Sequence, residues 1–151
     1  MRELYFQQWL PISLDEAWAF FSNPSNLKEI TPANVGFVVT SSHHGEQMYA
    51  GQIIRYIVRP LFGIPLSWCT EITHVVDRQY FVDEQRFGPY AFWHHQHRFT
   101  EQNGGVLMED ILHYKVPFGI LGRMVDRMIV NREVNAIFAY RRKILTERFG
   151  T

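Results

Sequence analysis

The chain has 151 residues, 46% of them hydrophobic, which is enough apolar material for one compact core. Fifteen basic and fifteen acidic side chains cancel, so the basic stripe expected of a nucleic-acid binder is missing. The single cysteine, Cys69, excludes an internal disulfide, suits a reducing compartment, and reads most simply as a small buried hydrophobe.

MRELYFQQWL has no signal-peptide core, and no apolar run reaches membrane-spanning length. The expectation is one cytoplasmic domain over residues 1–151, without stable membrane insertion. ELYFQQWL reads as the first strand. SLDEAWAFF then opens a helix, with Ser13 as N-cap and Glu16 three residues on. Asn23-Pro24 ends that helix, and SNLKEI suits a second short one. Six strand-like runs come next, VGFVVTS, GQIIRYIVR, LSWCTEITHV, YFVDEQRF, YAFWHHQHRFT and VLMEDILHYKV, each bounded by Gly, Pro, Asp or Asn. Their short connections make antiparallel neighbours.

The last stretch, GILGRMVDRMIVNREVNAIFAYRRKILTERF, predicts a helix about 40 Å long. Asp126 near its start and Arg141, Arg142 and Lys143 near its end suit the macrodipole. Its apolar pattern changes sides: Leu121, Val125, Met128 and Ile129 mark one face, and Val130, Val134, Ile137 and Phe138 nearly the opposite one. A kink, two-sided burial or a homodimer contact would each explain this. The resulting class is α+β, an antiparallel sheet of about seven strands covered by the long helix.

The segment FWHHQHRF places three histidines in four positions. Strand alternation puts Trp93, His95, His97 and Phe99 on one face. On the next strand Met108, Asp110, Leu112 and Tyr114 share a face. Asn103-Gly104 is a strong two-residue hairpin signal, and with it as the loop Phe99 opposes Met108, His97 opposes Asp110, His95 opposes Leu112 and Trp93 opposes Tyr114. A three-residue loop would turn Asp110 away from His97. In the favoured register two histidines and an aspartate face an otherwise apolar interior. Such burial costs several kcal/mol unless the groups are paired. As cross-strand neighbours with Cβ atoms roughly 5 Å apart, His97 and Asp110 are placed to pair, while His95 needs a partner that a polar cavity would supply. Between Asp83 and Glu84, Asp83 is taken as the inward one, with Phe81 and Gln85.

His-x-His plus a carboxylate has usable metal-ligand spacing, but no fourth ligand is apparent, so no metal or other cofactor is assigned. His43-His44 falls in a loop and reads as solvated surface. No nucleophile elbow and no phosphate-binding glycine loop occurs. His97 and Asp110 remain as catalytic candidates, an acid–base group and the carboxylate orienting it.

The element order, together with PISLDEAWAFFSNPSNLKEITP, IPLSWCTEI, FVDEQRFGPYAFWHHQHRF and MEDILHYKVPFGILG, resembles the SRPBCC superfamily. These are START-related, pollen-allergen-like and polyketide cyclase-like helix-grip proteins, and the resemblance looks closest to bacterial stand-alone members. It implies a curved sheet gripping the last helix, with a cavity between them for an apolar or aromatic molecule. Carried over by position, Trp68, Trp93, His95, His97, Asp110 and Tyr114 would line or border the cavity. Leu112 joins them from the same sheet face, and Met128 and Ile129 are the helix candidates. The expected function is binding, as carrier or sensor, of a small hydrophobic, aromatic or lipid-like ligand. The alternative is a polyketide cyclase-like or isomerase-type enzyme using the His–Asp pair, and a collapsed pocket would leave an interaction module.

Overall fold

The computed structural model describes residues 1–42, 47–60 and 62–151. His43 and His44 lie outside the described residues. Seven antiparallel strands form one sheet in the order β1-β7-β6-β5-β4-β3-β2. They are β1 (Arg2–Leu10), β2 (Val38–Val39), β3 (Gln52–Val58), β4 (Leu66–Val76), β5 (Tyr80–Phe87), β6 (Phe92–Gln102) and β7 (Gly105–Lys115). Except for β1, each strand pairs with its sequence neighbours, as short connections require. β1 closes against β7.

Helix α1 (Leu14–Phe21) begins where expected, with the Ser13 hydroxyl accepting from the Glu16 N–H at 3.1 Å. The second short helix is a 3-10 segment, Pro24–Ile30, capped by Asn23. A further 3-10 turn spans Ala33–Val35. It ends at Gly36 in the left-handed region, φ 62°, so the expected strand VGFVVTS shrinks to Val38–Val39. Val35 and Phe37 are nevertheless buried.

The terminal helical stretch comprises α2 (Gly119–Val125), a π-helical turn (Asp126–Val130) and α3 (Asn131–Phe149). The change of sides in the apolar pattern is real in the fold: the early apolar face is turned outward, and the later one, Val134 and Phe138, is buried. The inward stripe runs Gly122, Asp126, Val130, Val134, Phe138, Arg141 and Leu145. Its early part is small or polar, and the apolar residues Leu121, Met124 and Met128 face outward, 69, 54 and 70% exposed. Asp126 accepts from Tyr114 Oη at 2.7 Å and from Arg2 Nε at 2.9 Å, anchoring the helix start to β7 and β1.

Packing divides the interior into three buried clusters. Leu10, Trp18, Phe20, Phe21, Phe81, Phe99, Met108 and Leu145 belong to the first, under α1. Val35, Phe37, Val58 and Trp68 form the second, and Leu112, Tyr114, Val134 and Phe138 the third, under α3. Each buried large side chain contributes about 1.5–3 kcal/mol. Leu27, Tyr90 and Trp93 bridge the clusters, and all three contribute to the wall of one cavity.

Candidate functional site

The Asn103-Gly104 turn sets the positions of the site residues on β6 and β7. Both turn residues have positive φ, 52° and 75°, as a type I′ hairpin requires. The β6–β7 register therefore pairs Gln102 with Gly105, Phe99 with Met108, His97 with Asp110, His95 with Leu112 and Trp93 with Tyr114. On the other side of β6, Asp83 of β5 stands opposite His95, and Phe81 opposite His97. Two imidazoles on one strand thus lie between a carboxylate on each neighbouring strand.

The contacts run diagonally. His95 Nε2 is 2.8 Å from Asp110 Oδ1, and His97 Nε2 is 2.5 Å from Asp83 Oδ2. The second ring nitrogens lie farther out, His97 Nδ1 3.4 Å from Asp110 Oδ1 and His95 Nδ1 3.5 Å from Asp83 Oδ2. The rings are 3.7 Å apart between centroids, and Phe81 stacks on His97 at 4.2 Å. Trp93 Nε1 donates to Asp83 Oδ1 at 3.1 Å. From α3, Arg141 Nη1 reaches within 3.5 Å of Asp110 Oδ1. His95, His97, Asp110 and Arg141 are only 5, 5, 3 and 7% exposed, so these charges sit in a nearly dry interior.

That environment separates their protonation. Burial alone would raise the Asp110 carboxyl, but the Arg141 charge and the imidazoles outweigh it and hold it well below the ordinary carboxylate range. Asp83 is likewise lowered: burial opposes ionisation, and His95 and His97 overcome it. Burial and the neighbouring His97 push His95 below the ordinary imidazole value. His97 faces the same burial penalty, but contacts with Asp110 and Asp83 raise it. Asp83 and Asp110 are thus held as anions beside the Arg141 guanidinium, while His97 is shifted toward its cation and His95 toward its neutral ring.

The cavity beside this cluster has a volume of about 190 Å³. Its walls come from β3 to β6, the Pro24–Ile30 segment and α3, and include Phe37, Ile54, Tyr56, Trp68, Tyr90 and Phe138. Asp83, His95, His97 and Arg141 supply its charged patch. Tyr90 is brought there by Gln85, whose side-chain amide bonds both the Tyr90 carbonyl, at 2.7 Å, and its N–H, at 3.0 Å. The Trp68 indole donates to Thr70 Oγ1 at 2.9 Å, and the Tyr56 hydroxyl bonds the same oxygen at 2.9 Å.

Of the residues singled out from the sequence, Trp68, Trp93, His95 and His97 line this cavity. Asp110 stands behind the histidines and borders a second pocket, with Phe6, Gln8 and Asn135. Leu112 and Tyr114 are fully buried and pack in the third cluster. Met128 and Ile129 are not among the cavity-lining residues: the helix presents Gly122 and Asp126 inward at that level, leaving Met128 exposed and Ile129 half-buried. Sequence reasoning passed over Arg141, counting it only toward the helix dipole. Its position on the stripe Val134, Phe138, Arg141, Leu145 was the available signal.

No protein-family model matches the chain, and no curated protein does either. Solved structures match along nearly its whole length. A START superfamily protein from Mycobacterium smegmatis superposes with a TM-score of 0.70 at 11% identity, covering 97% of this chain and 96% of that one. The chain has the START-like helix-grip fold. Protein CV1439 from Chromobacterium violaceum shares this helix-grip fold with a TM-score of 0.72 at 13% identity, over 99% of this chain and 98% of that one. The protein TTHA0849 from Thermus thermophilus shares it with a TM-score of 0.70 at 17% identity, over 97% of this chain and 96% of that one. Among the described residues, no helix is long and apolar enough to cross a membrane.

Proposed function

We propose that the protein binds a compact, largely apolar molecule bearing one polar head in the cavity beside β6. The observation that carries this reading is the joining of an aromatic-walled space to a buried patch of paired polar groups. Apolar walls contribute affinity through burial, and a few convergent polar groups fix orientation. The 190 Å³ available favours a one- or two-ring molecule or a short acyl chain over a long lipid, since a dry cavity of about 150 Å³ accommodates benzene. Trp68, Trp93, Ile54 and Phe138 form the apolar contact in this reading, and Asp83 and His97 take the head.

Native mass spectrometry after mild purification tests it. A retained small-molecule adduct, or a thermal shift with single-ring phenols or carboxylates, supports the reading. A bare chain with no shift across such a library overturns it.

One observation favours a second reading. Two closely packed imidazoles, shifted in opposite directions, face the same cavity. Such a pair suits acid–base chemistry of the isomerase or cyclase type. His97→Ala would then abolish turnover of a bound aromatic polyketide-like substrate while preserving its binding. Equal turnover by wild type and variant would count against it.

A further inference from the structure

The His95 imidazole raises a problem that hydrogen bonding within the cluster does not solve. Asp110, as an ionised carboxylate, only accepts, so the close His95 Nε2 is the nitrogen that carries the proton. In the neutral ring Nδ1 then presents a lone pair, and it points toward Asp83 Oδ2 at 3.5 Å, a second lone-pair bearer. His97 Nε2 approaches the same oxygen. One nitrogen from each ring therefore converges on one carboxylate oxygen, at the edge of the cavity.

We propose that Asp83, His95 and His97 form a binding site for a divalent first-row transition metal, with Asp110 and Arg141 as its outer support. The three side chains each offer a ligand atom within 4.8 Å of the others. Metal–nitrogen bonds of about 2.0–2.1 Å in a tetrahedron put ligand atoms roughly 3.3 Å apart. The 3.5 Å separation of His95 Nδ1 and Asp83 Oδ2 already fits, while His97 Nε2 has to withdraw from 2.5 Å by less than an ångström. Histidine ligands usually donate their other ring N–H to a carboxylate. Asp110 Oδ1 stands ready for both rings, 2.8 Å from His95 Nε2 and 3.4 Å from His97 Nδ1. The latter nitrogen is buried without a hydrogen-bond partner. A metal on Nε2 would give that nitrogen a defined role as an N–H aimed at Asp110.

Two histidines and one carboxylate leave coordination positions open, as in zinc and non-haem iron sites. Asp83, His95 and His97 line the cavity and Asp110 does not, so the open positions face the space where an organic ligand would lie. With both rings neutral, Asp83, Asp110 and Arg141 sum to one negative charge. A dication makes the site singly positive and favours an anionic donor from the cavity side. Asp83 and His97 serve both readings, but metal uptake is measurable with the cavity otherwise empty, so either reading can fail without the other.

Chelator-treated full-length protein is titrated with cobalt(II), followed by its visible d–d absorption, and then with zinc(II), followed by competition and by elemental analysis after gel filtration. One metal per chain is expected, with intense tetrahedral-type cobalt bands and a raised Tm. Asp83→Asn keeps the size of the side chain and removes its charge. It should weaken binding more than about 100-fold, given that losing an outer-sphere partner alone costs 10–100-fold. His94 and His113, on the opposite face of the sheet, form a competing surface pair with ring centroids 6.3 Å apart. His94→Ala with His113→Ala should leave stoichiometry and cobalt spectrum unchanged. Absence of stoichiometric uptake by the wild type overturns the proposal, as does loss of the cobalt spectrum in the surface variant. Should Asp83→Asn not fold, the wild type and surface variant still decide between these outcomes.

Discussion

His95 and Asp110 are not cross-strand partners, yet His95 Nε2 sits 2.8 Å from Asp110 Oδ1. The register partner of Asp110 is His97, whose close contact runs the other way, to Asp83. Each imidazole thus touches both carboxylates, and Arg141 completes the circuit from the helix. The cluster ties β5, β6, β7 and α3 together at the cavity edge.

Removing one charge from this arrangement strands another. Asp110→Asn leaves the buried Arg141 guanidinium uncompensated, and breaking a buried pair in this way costs about 3–5 kcal/mol. Asp110→Leu combined with Arg141→Met should recover most of that loss, because well-packed apolar replacements are often neutral or stabilising. Urea denaturation of both variants checks the coupling. Equal losses in the single and double variants would contradict it.

The pH dependence has a defined sign. Asp83 and Asp110 have lowered folded-state values. Their contribution is therefore present above the unfolded carboxylate value, near pH 4, and is lost as pH falls through the folded values. His97, raised, stabilises below about pH 6.5 and loses that contribution as pH rises through its folded value; His95, lowered, acts in the opposite sense. The histidine effects oppose each other, so the steep limb belongs to the acids. Thermal unfolding between pH 7 and pH 2 should show Tm falling below about pH 4, with a shallower fall in Asp110→Asn. An unchanged slope in that variant contradicts the assignment.

Imidazole nitrogen NMR separates the two rings directly. His97 should titrate above the ordinary imidazole value and His95 below it, with His95 in the Nε2–H tautomer at neutral pH. Two histidines titrating together at about 6.5 would show that the carboxylates do not distinguish them.

Much of this was legible before any coordinates. Asn103-Gly104 dictated the turn, the turn dictated the register, and alternation then turned His95, His97 and Asp110 inward. Asp83 was readable as the inward acid of its strand. What alternation cannot carry is reach: it gives faces, whereas the diagonal contacts depend on side-chain rotamers. Arg141 was hidden because a basic residue late in a helix has an ordinary explanation in the dipole. Met128 and Ile129 lie off the cavity because an apolar stripe does not by itself face the core: at that level Gly122 and Asp126 are turned inward, Asp126 held by Tyr114 and Arg2. In VGFVVTS the strand-forming residues were visible, but not that Gly36 would close a 3-10 turn and delay the strand.

A void adjoining the His–Asp cluster, open to a compact molecule, is what the binding reading requires. Ile54 lines that void from β3, and Ile54→Trp would project a ring into it. Overpacking a solid core costs about 1–3 kcal/mol, whereas a ring that enters empty space should leave stability within about 1 kcal/mol of wild type. Calorimetric titration of wild type and Ile54→Trp with single-ring phenols and benzoates is the most direct measurement. Saturable one-to-one binding with a negative heat-capacity change is expected in the wild type, abolished in the folded variant. No saturable binding by the wild type, or equal affinity in both proteins, would contradict it.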